Sequence, residues 1–169
     1  MNTRRGVYLV RTDRWYIERL VWLVAGIDIL GSSLLAWQAH PYWALSILFV
    51  GLCSIAVAIT GFCIVGNLFY RMGLEPLLQK APDPGHGNER QTWYVMQTDR
   101  WFLERRIYLV VGINLSIASV LSIIHSPWWL AFTGFVGTAT VVFPTTGYCI
   151  MANMLYRMGA EPRLQKLAA

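Results

Sequence analysis

Lysine and arginine are missing from four long stretches of this chain, residues 20–37, 42–68, 107–124 and 128–155. Charge is scarce overall, at 14% of residues, against about a quarter in soluble domains. A soluble helix of such length carries a polar stripe, and these runs carry none, which excludes an ordinary soluble bundle. The 18 residues of the first run rise roughly 27 Å as a helix, close to the hydrocarbon thickness of a bilayer. The composition therefore predicts an all-α membrane protein with four transmembrane helices. The second run of each half is longer and can tilt or extend into the interface.

Cysteine is also sparse. Cys53, Cys63 and Cys149 sit inside or beside apolar runs, which excludes a secreted disulfide framework. No small-residue cleavage site follows the first apolar run, so that run reads as a signal anchor rather than a signal peptide. There is no Ser-His-Asp arrangement, phosphate loop, zinc spacing or paired-carboxylate motif, and the expectation is a protein that is not an enzyme and carries no cofactor. The net charge of +5 reads as topogenesis and attraction to anionic lipid. Its basic residues are interleaved with acids and aromatics, which argues against nucleic acid.

What the chain does have is itself, twice. Residues 8–80 recur as 94–166, shifted by 86 positions without a gap, and 32 of the 73 aligned positions are identical. Thr12-Asp13-Arg14-Trp15 returns as Thr98-Asp99-Arg100-Trp101, and Glu18-Arg19 as Glu104-Arg105. Thr60-Gly61-Phe62-Cys63 returns as Thr146-Gly147-Tyr148-Cys149. A repeat of this kind sets the architecture. It divides the chain into a first transmembrane hairpin unit (1–80), a cytoplasmic linker (81–93) and a second hairpin unit (94–169). Two spans per unit give both units one orientation, and hence a pseudo-twofold along the membrane normal.

Each unit begins with an arm, residues 7–19 or 93–106, whose mix of aromatic and charged residues suits a short amphipathic interfacial helix. Thr12 or Asp13, and Thr98 or Asp99, are the expected caps. The two spans of a unit are joined by a short Pro-containing turn, which predicts that they pack on each other antiparallel. Gly73 and Gly159 are expected to end the second helix, with Pro76 and Pro162 preventing its continuation. All 14 Lys and Arg lie outside the turns at His40-Pro41 and His125-Ser126-Pro127. The positive-inside rule then places both termini and the linker in the cytoplasm. Trp37, Trp43, Trp128 and Trp129 near the turns, and Trp15 and Trp101 at the other end, read as interfacial anchors.

Glu-Arg before a first span with an Ala-Gly step (Ala25-Gly26), followed by a second span ending in Thr-Gly-Phe-Cys, resembles the YgaP-like transmembrane domain. That domain is a two-helix bacterial inner-membrane module, sometimes attached to a rhodanese sulfurtransferase domain, so the resemblance implies a bacterial inner membrane as the location. The resemblance covers residues 18–68 and again 104–155. Family members often have Pro after the Cys, where Ile64 and Ile150 stand here. No rhodanese segment accompanies the module, so no sulfurtransferase activity is implied.

Four residues are candidates for function. Cys63 and Cys149 are the repeated thiols, readable as a relay, metal or redox pair or as small residues in a tight helix contact. Cys53 pairs in the repeat with Ala139 and reads as core. Asp28 is the lone acid deep within a span, and a carboxylate there costs several kcal/mol unless paired or protonated. Its counterpart is Asn114, so an Asp28–Asn114 hydrogen bond is expected, either as an interhelical lock or as part of a proton or cation site. His40 and His125 lie in turns beside Pro, poorly placed for haem or metal, and His86 lies in the linker. The leading reading is a non-catalytic accessory, anchoring or assembly subunit that meets lipid and other membrane subunits or itself. The alternative is a carrier of a reduced sulfur species through the two repeated cysteines.

Overall fold

The structure is a computed structural model that describes residues 6–79 and 92–164. Among these residues it is all-helical, with four helices long and apolar enough to cross a membrane. They are α1 (Ile17–Gln38), α2 (Ala44–Thr60), α4 (Leu103–Ile124) and α5 (Trp129–Thr146). Two short helices, α3 (Ile64–Arg71) and α6 (Ile150–Arg157), follow the second span of each unit. A 3-10 turn over Pro41–Trp43 joins α1 to α2. The linker at 81–91 lies outside the described residues.

The long apolar runs do not form single helices. α2 stops at Gly61 and α5 at Gly147, where φ is +76° and +78°. In this left-handed conformation a side chain is strained and glycine is at home. Thr60 and Thr146 strengthen the stop, since their Oγ1 atoms accept the N–H groups of Phe62 and Tyr148 at 3.1 and 3.2 Å. The glycine carbonyls then accept backbone N–H groups from the opposite unit, Met96 N to Gly61 O at 2.8 Å and Val10 N to Gly147 O at 2.9 Å. Cys63 and Cys149 become the N-cap positions of α3 and α6. Gly73 and Gly159, at φ +90° and +95°, do follow the last helical turn of each unit.

The arms are not helical. Their backbone donors and acceptors are engaged by the other repeat, which holds them extended. The N-caps of α1 and α4 are Tyr16 and Phe102, without side-chain capping, instead of the Thr and Asp residues expected. The exposed N-termini are satisfied by the tails: Ile17 N donates to Glu75 O and Leu103 N to Glu161 O. The short helices of the fold therefore come after the spans instead of before them.

Helix pairing also departs from the expectation of two self-packed hairpins. α1 packs lengthwise on α5 and α2 on α4, whereas contacts within a hairpin are sparse. The reason is a seven-residue stripe of small groups facing the other unit. In α4 it runs Gly112, Ser119; in α2 Ala44, Gly51, Ala58; in α1 Gly26, Ser33; in α5 Gly137. A Cβ at Gly112 would stand 2.7 Å from Gly51 O, and one at Gly137 would stand 2.9 Å from Leu30 N. Small residues let membrane helices approach this closely, and a seven-residue spacing keeps the seam aligned. At the turn end, Ser119 Oγ donates to Ala44 O and Ser33 Oγ meets Thr133 Oγ1 at 2.8 Å. Both tight pairs are antiparallel: in one the contacts run Arg19–Pro144, Gly26–Val141 and Ser33–Thr133, and in the other Arg105–Ala58, Gly112–Gly51 and Ser119–Ala44.

Candidate functional site

The repeated polar residues meet at the arm end of the bundle, and there each unit completes the other. Glu104 is fully buried. Its carboxylate accepts from Arg163 N at 3.0 Å, Leu164 N at 2.7 Å and the hydroxyl of Tyr8, from the other unit, at 2.8 Å. Glu18 does the same with Leu77 N at 3.1 Å, Leu78 N at 2.6 Å and Tyr94 Oη at 3.0 Å. Several donors on one carboxylate are what makes burying it tolerable.

Arg19 and Arg105 extend across to the ends of the opposing spans. Arg19 Nε donates to Pro144 O at 2.5 Å and Arg105 Nε to Ala58 O at 2.6 Å. These carbonyls lie in last helical turns, where a cation also complements the helix dipole. Each guanidinium is stacked 3.9 Å over its own Trp, Trp15 or Trp101. Asn67 clamps the backbone of Tyr94 at both N and O, each at 2.8 Å. Asn153 clamps Tyr8 in the same way, at 2.7 and 3.1 Å. Sequence reasoning passed over both asparagines. Their identity in the two repeats was the available signal, since a polar residue kept inside an otherwise variable apolar stretch asks for a partner.

Above this clasp the four spans diverge. Near the turns they share one core of Ile29, Ala36, Ala44, Ile47, Leu115 and Leu130. Toward the arm end they border, together with α3 and α6, a partly open cavity of about 890 Å³. Asp28, Cys53, Cys63, Asn114 and Cys149 all line it. The candidate residues are thus brought to one space, with different bonds from those expected. Asp28 accepts from Ser46 Oγ at 3.2 Å, and Asn114 Nδ2 turns back to Val110 O at 2.8 Å in its own helix. The expected Asp28–Asn114 hydrogen bond is not formed, because each side chain finds a nearer partner.

The three cysteines are free thiols, with Cys63 buried and Cys149 half-buried. Burial pushes both the Cys63 and the Cys149 thiol up, although neighbouring backbone N–H groups pull the other way. In Cys63 one of these donors is Gly66 N, 3.2 Å from Sγ. The thiolate is the nucleophile, so raised thiols react slowly near neutral pH. The expected result is alkylation of Cys63 and Cys149 by iodoacetamide at pH 7.5 about tenfold or more slower than for free cysteine, accelerating as pH rises. Mass spectrometry of timed aliquots reads it.

The outer histidines serve their turns. His40 Nδ1 accepts from Tyr42 N at 3.3 Å, and His125 Nδ1 accepts from Trp129 Nε1 at 3.3 Å. Among the described residues no group of three His, Cys, Asp or Glu side chains is placed to hold a metal ion. Trp15, Trp37, Trp43, Trp101 and Trp128 are exposed and Trp129 is half-buried. Trp37 meets Trp128 edge-on at 5.4 Å, which ties the end of α1 to the second turn. Comparison with protein-family models, curated proteins and solved structures gives no match for this chain.

Proposed function

We propose that this chain is a non-catalytic, multi-pass protein of the bacterial cytoplasmic membrane, acting as an accessory, anchoring or assembly subunit of a larger membrane complex. The observation that carries this reading is the use made of the repeated polar residues. Glu18, Arg19, Asn67 and their counterparts are spent on binding one unit to the other. What the spans turn outward is apolar and large, including Ile27, Leu34, Leu52, Ile59 and Ile117. Such a surface suits lipid and neighbouring helices. The resemblance to the YgaP-like module supports the same picture of a tandem membrane unit. The reciprocal contacts between units fit a pseudo-twofold along the membrane normal, with the second unit standing where a second subunit would stand. Solubilisation of native membranes in mild detergent, pull-down and mass spectrometry test the reading. Stoichiometric co-purification of other membrane proteins is expected, and a monodisperse lone chain overturns it.

The orientation follows from charge: both termini and residues 81–91 are cytoplasmic and the turns at His40 and Ser126 face outward. Single cysteines replacing His40 or Gly87, in a chain lacking the native three, provide the check. A membrane-impermeant maleimide added to intact spheroplasts should label the first and spare the second. The reverse pattern inverts the topology.

A second reading, a carrier of a reduced sulfur species, is favoured by one observation, that Cys63 and Cys149 line the same cavity. It requires reactive thiols, and burial works against that. Unchanged growth on reduced sulfur sources after Cys63→Ser and Cys149→Ser together would end it.

A further inference from the structure

We infer that the intramembrane cavity is a binding site for a lipophilic organic cation, with Asp28 as its counter-charge. The inference does not depend on the subunit reading, since it concerns the cavity between the two helix pairs. Its volume of about 890 Å³ falls among the roughly 300–1,000 Å³ sites that enclose small molecules. Among the residues that line it, Asp28 is the only carboxylate and none is Lys, Arg or His. Asp28 is half-buried, and its hydrogen-bond partner is a neutral hydroxyl, Ser46 Oγ. A carboxylate set in a largely apolar wall that offers it no Lys, Arg or His is complementary to a ligand that supplies a cation.

The rest of the wall suits the remainder of such a ligand. Trp22, Phe49, Tyr108, Phe132, Phe135 and Phe143 contribute to it. Aromatic faces attract cations, most strongly where water is excluded, and they also take up apolar substituents. Trp22 is already held between Phe143, at 4.3 Å, and Tyr108, at 5.1 Å, so one aromatic group in the wall is fixed in place. A neutral lipid chain would use the apolar wall but gain nothing from Asp28, and a hydrated metal ion would gain nothing from the aromatics. The combination selects a bulky monocation.

The clasp residues are duplicated, but the charge in the cavity wall is not. Asp28 and Ser46 in the first unit stand opposite Asn114 and Phe132 in the second. The cavity therefore has one carboxylate on the α1 side and an added aromatic ring on the α5 side. Duplication of a symmetric scaffold has left a single asymmetric site. The second unit also supplies a benign test substitution, because asparagine already occupies the equivalent position of α4.

Tetraphenylphosphonium is a suitable probe, with triphenylphosphine oxide as a neutral counterpart, each measured by equilibrium dialysis against the full-length protein in detergent. The wild type should bind the cation saturably and at least about tenfold more tightly than the neutral probe, because the charge pair forms in a medium of low dielectric. Asp28→Asn should weaken the cation by about tenfold or more and leave the neutral probe unchanged. Adding Asn114→Asp to Asp28→Asn moves the carboxylate to the opposite wall of the same cavity and should restore the preference for the cation. Ala139→Phe, which fills the cavity with the carboxylate intact, should reduce binding of both probes. Gel filtration confirms that each variant keeps the wild-type elution. Absent saturable binding, equal affinity for the two probes, or equal cation affinity in the wild type and Asp28→Asn overturns the inference. Undiminished cation binding in Ala139→Phe does so as well, should the Asp28 variants not fold.

Discussion

Glu104→Ala is expected to lower the stability of the detergent-solubilised protein by about 3 kcal/mol or more. The carboxylate accepts from two backbone N–H groups and one hydroxyl, and alanine leaves all three donors without that acceptor, two of them buried. Each such orphan costs roughly 1–3 kcal/mol, and relaxation returns part of the total. At roughly 2–4 °C per kcal/mol for a chain of this size, the midpoint of thermal unfolding should fall by about 6 °C or more. Fluorescence-detected gel filtration after heating measures it. Glu104→Gln keeps an acceptor oxygen and should lose clearly less. Glu18→Ala should behave like Glu104→Ala, since Glu18 accepts the equivalent set from Leu77, Leu78 and Tyr94. A loss within about 0.5 kcal/mol, the range of ordinary surface changes, would mean that the clasp is not holding the units together.

The same network sets an alkaline limit. Burial, with the adjacent Glu104 or Glu18 as the next cause, pushes the Tyr8 and Tyr94 hydroxyls well above the ordinary phenol value. The folded state thus keeps protons that the unfolded chain releases above about pH 10. This contribution is complete below that pH and is lost as pH rises beyond it. Tyr8→Phe with Tyr94→Phe should flatten the decline.

These contacts explain which parts of the molecule could be read from the residues. The four spans were legible because hydropathy and the absence of basic residues are local properties. The ends at Gly73 and Gly159 were legible for the same reason, with Pro close behind each. The breaks at Gly61 and Gly147 were not. Threonine and glycine inside an apolar run are ordinary in membrane helices, and what converts them to a stop is a backbone donor from Met96 or Val10, far away in sequence. The arms misled similarly. Their amphipathic composition suits a helix, yet their hydrogen bonds lie in the other unit and favour extended chain. Asp28 and Asn114 line one space, but the hydrogen bond expected between them assumed a closed bundle axis. The cavity separates the tight pairs, and each side chain bonds locally.

Gly112→Leu should separate α2 from α4 and destabilise the bundle. The seam between these helices is set by Gly112 against Gly51 and Ile55. A Cβ at position 112 would lie 2.7 Å from Gly51 O and 2.9 Å from Ile55 N, and both of those atoms belong to the backbone. A flexible side chain can swing aside, but a helix backbone moves only as a unit. Association of membrane helices rests on close packing, since lipid tails solvate leucine as well as protein does. Moving α2 outward also breaks the Arg105–Ala58 and Ser119–Ala44 hydrogen bonds at the two ends of the seam. Overpacking alone costs about 1–3 kcal/mol, and the lost end contacts add to it. Gly31→Leu is the control: Gly31 lies on α1 with open space where its Cβ would be, so the same substitution should be tolerated within about 1 kcal/mol. Cysteine pairs at Ala58 and Arg105, tested for cross-linking in membranes, report the spacing directly. Efficient cross-linking should persist with Gly31→Leu and fall with Gly112→Leu. Equal cross-linking in the two would show that the small-residue seam does not govern how the two repeats meet.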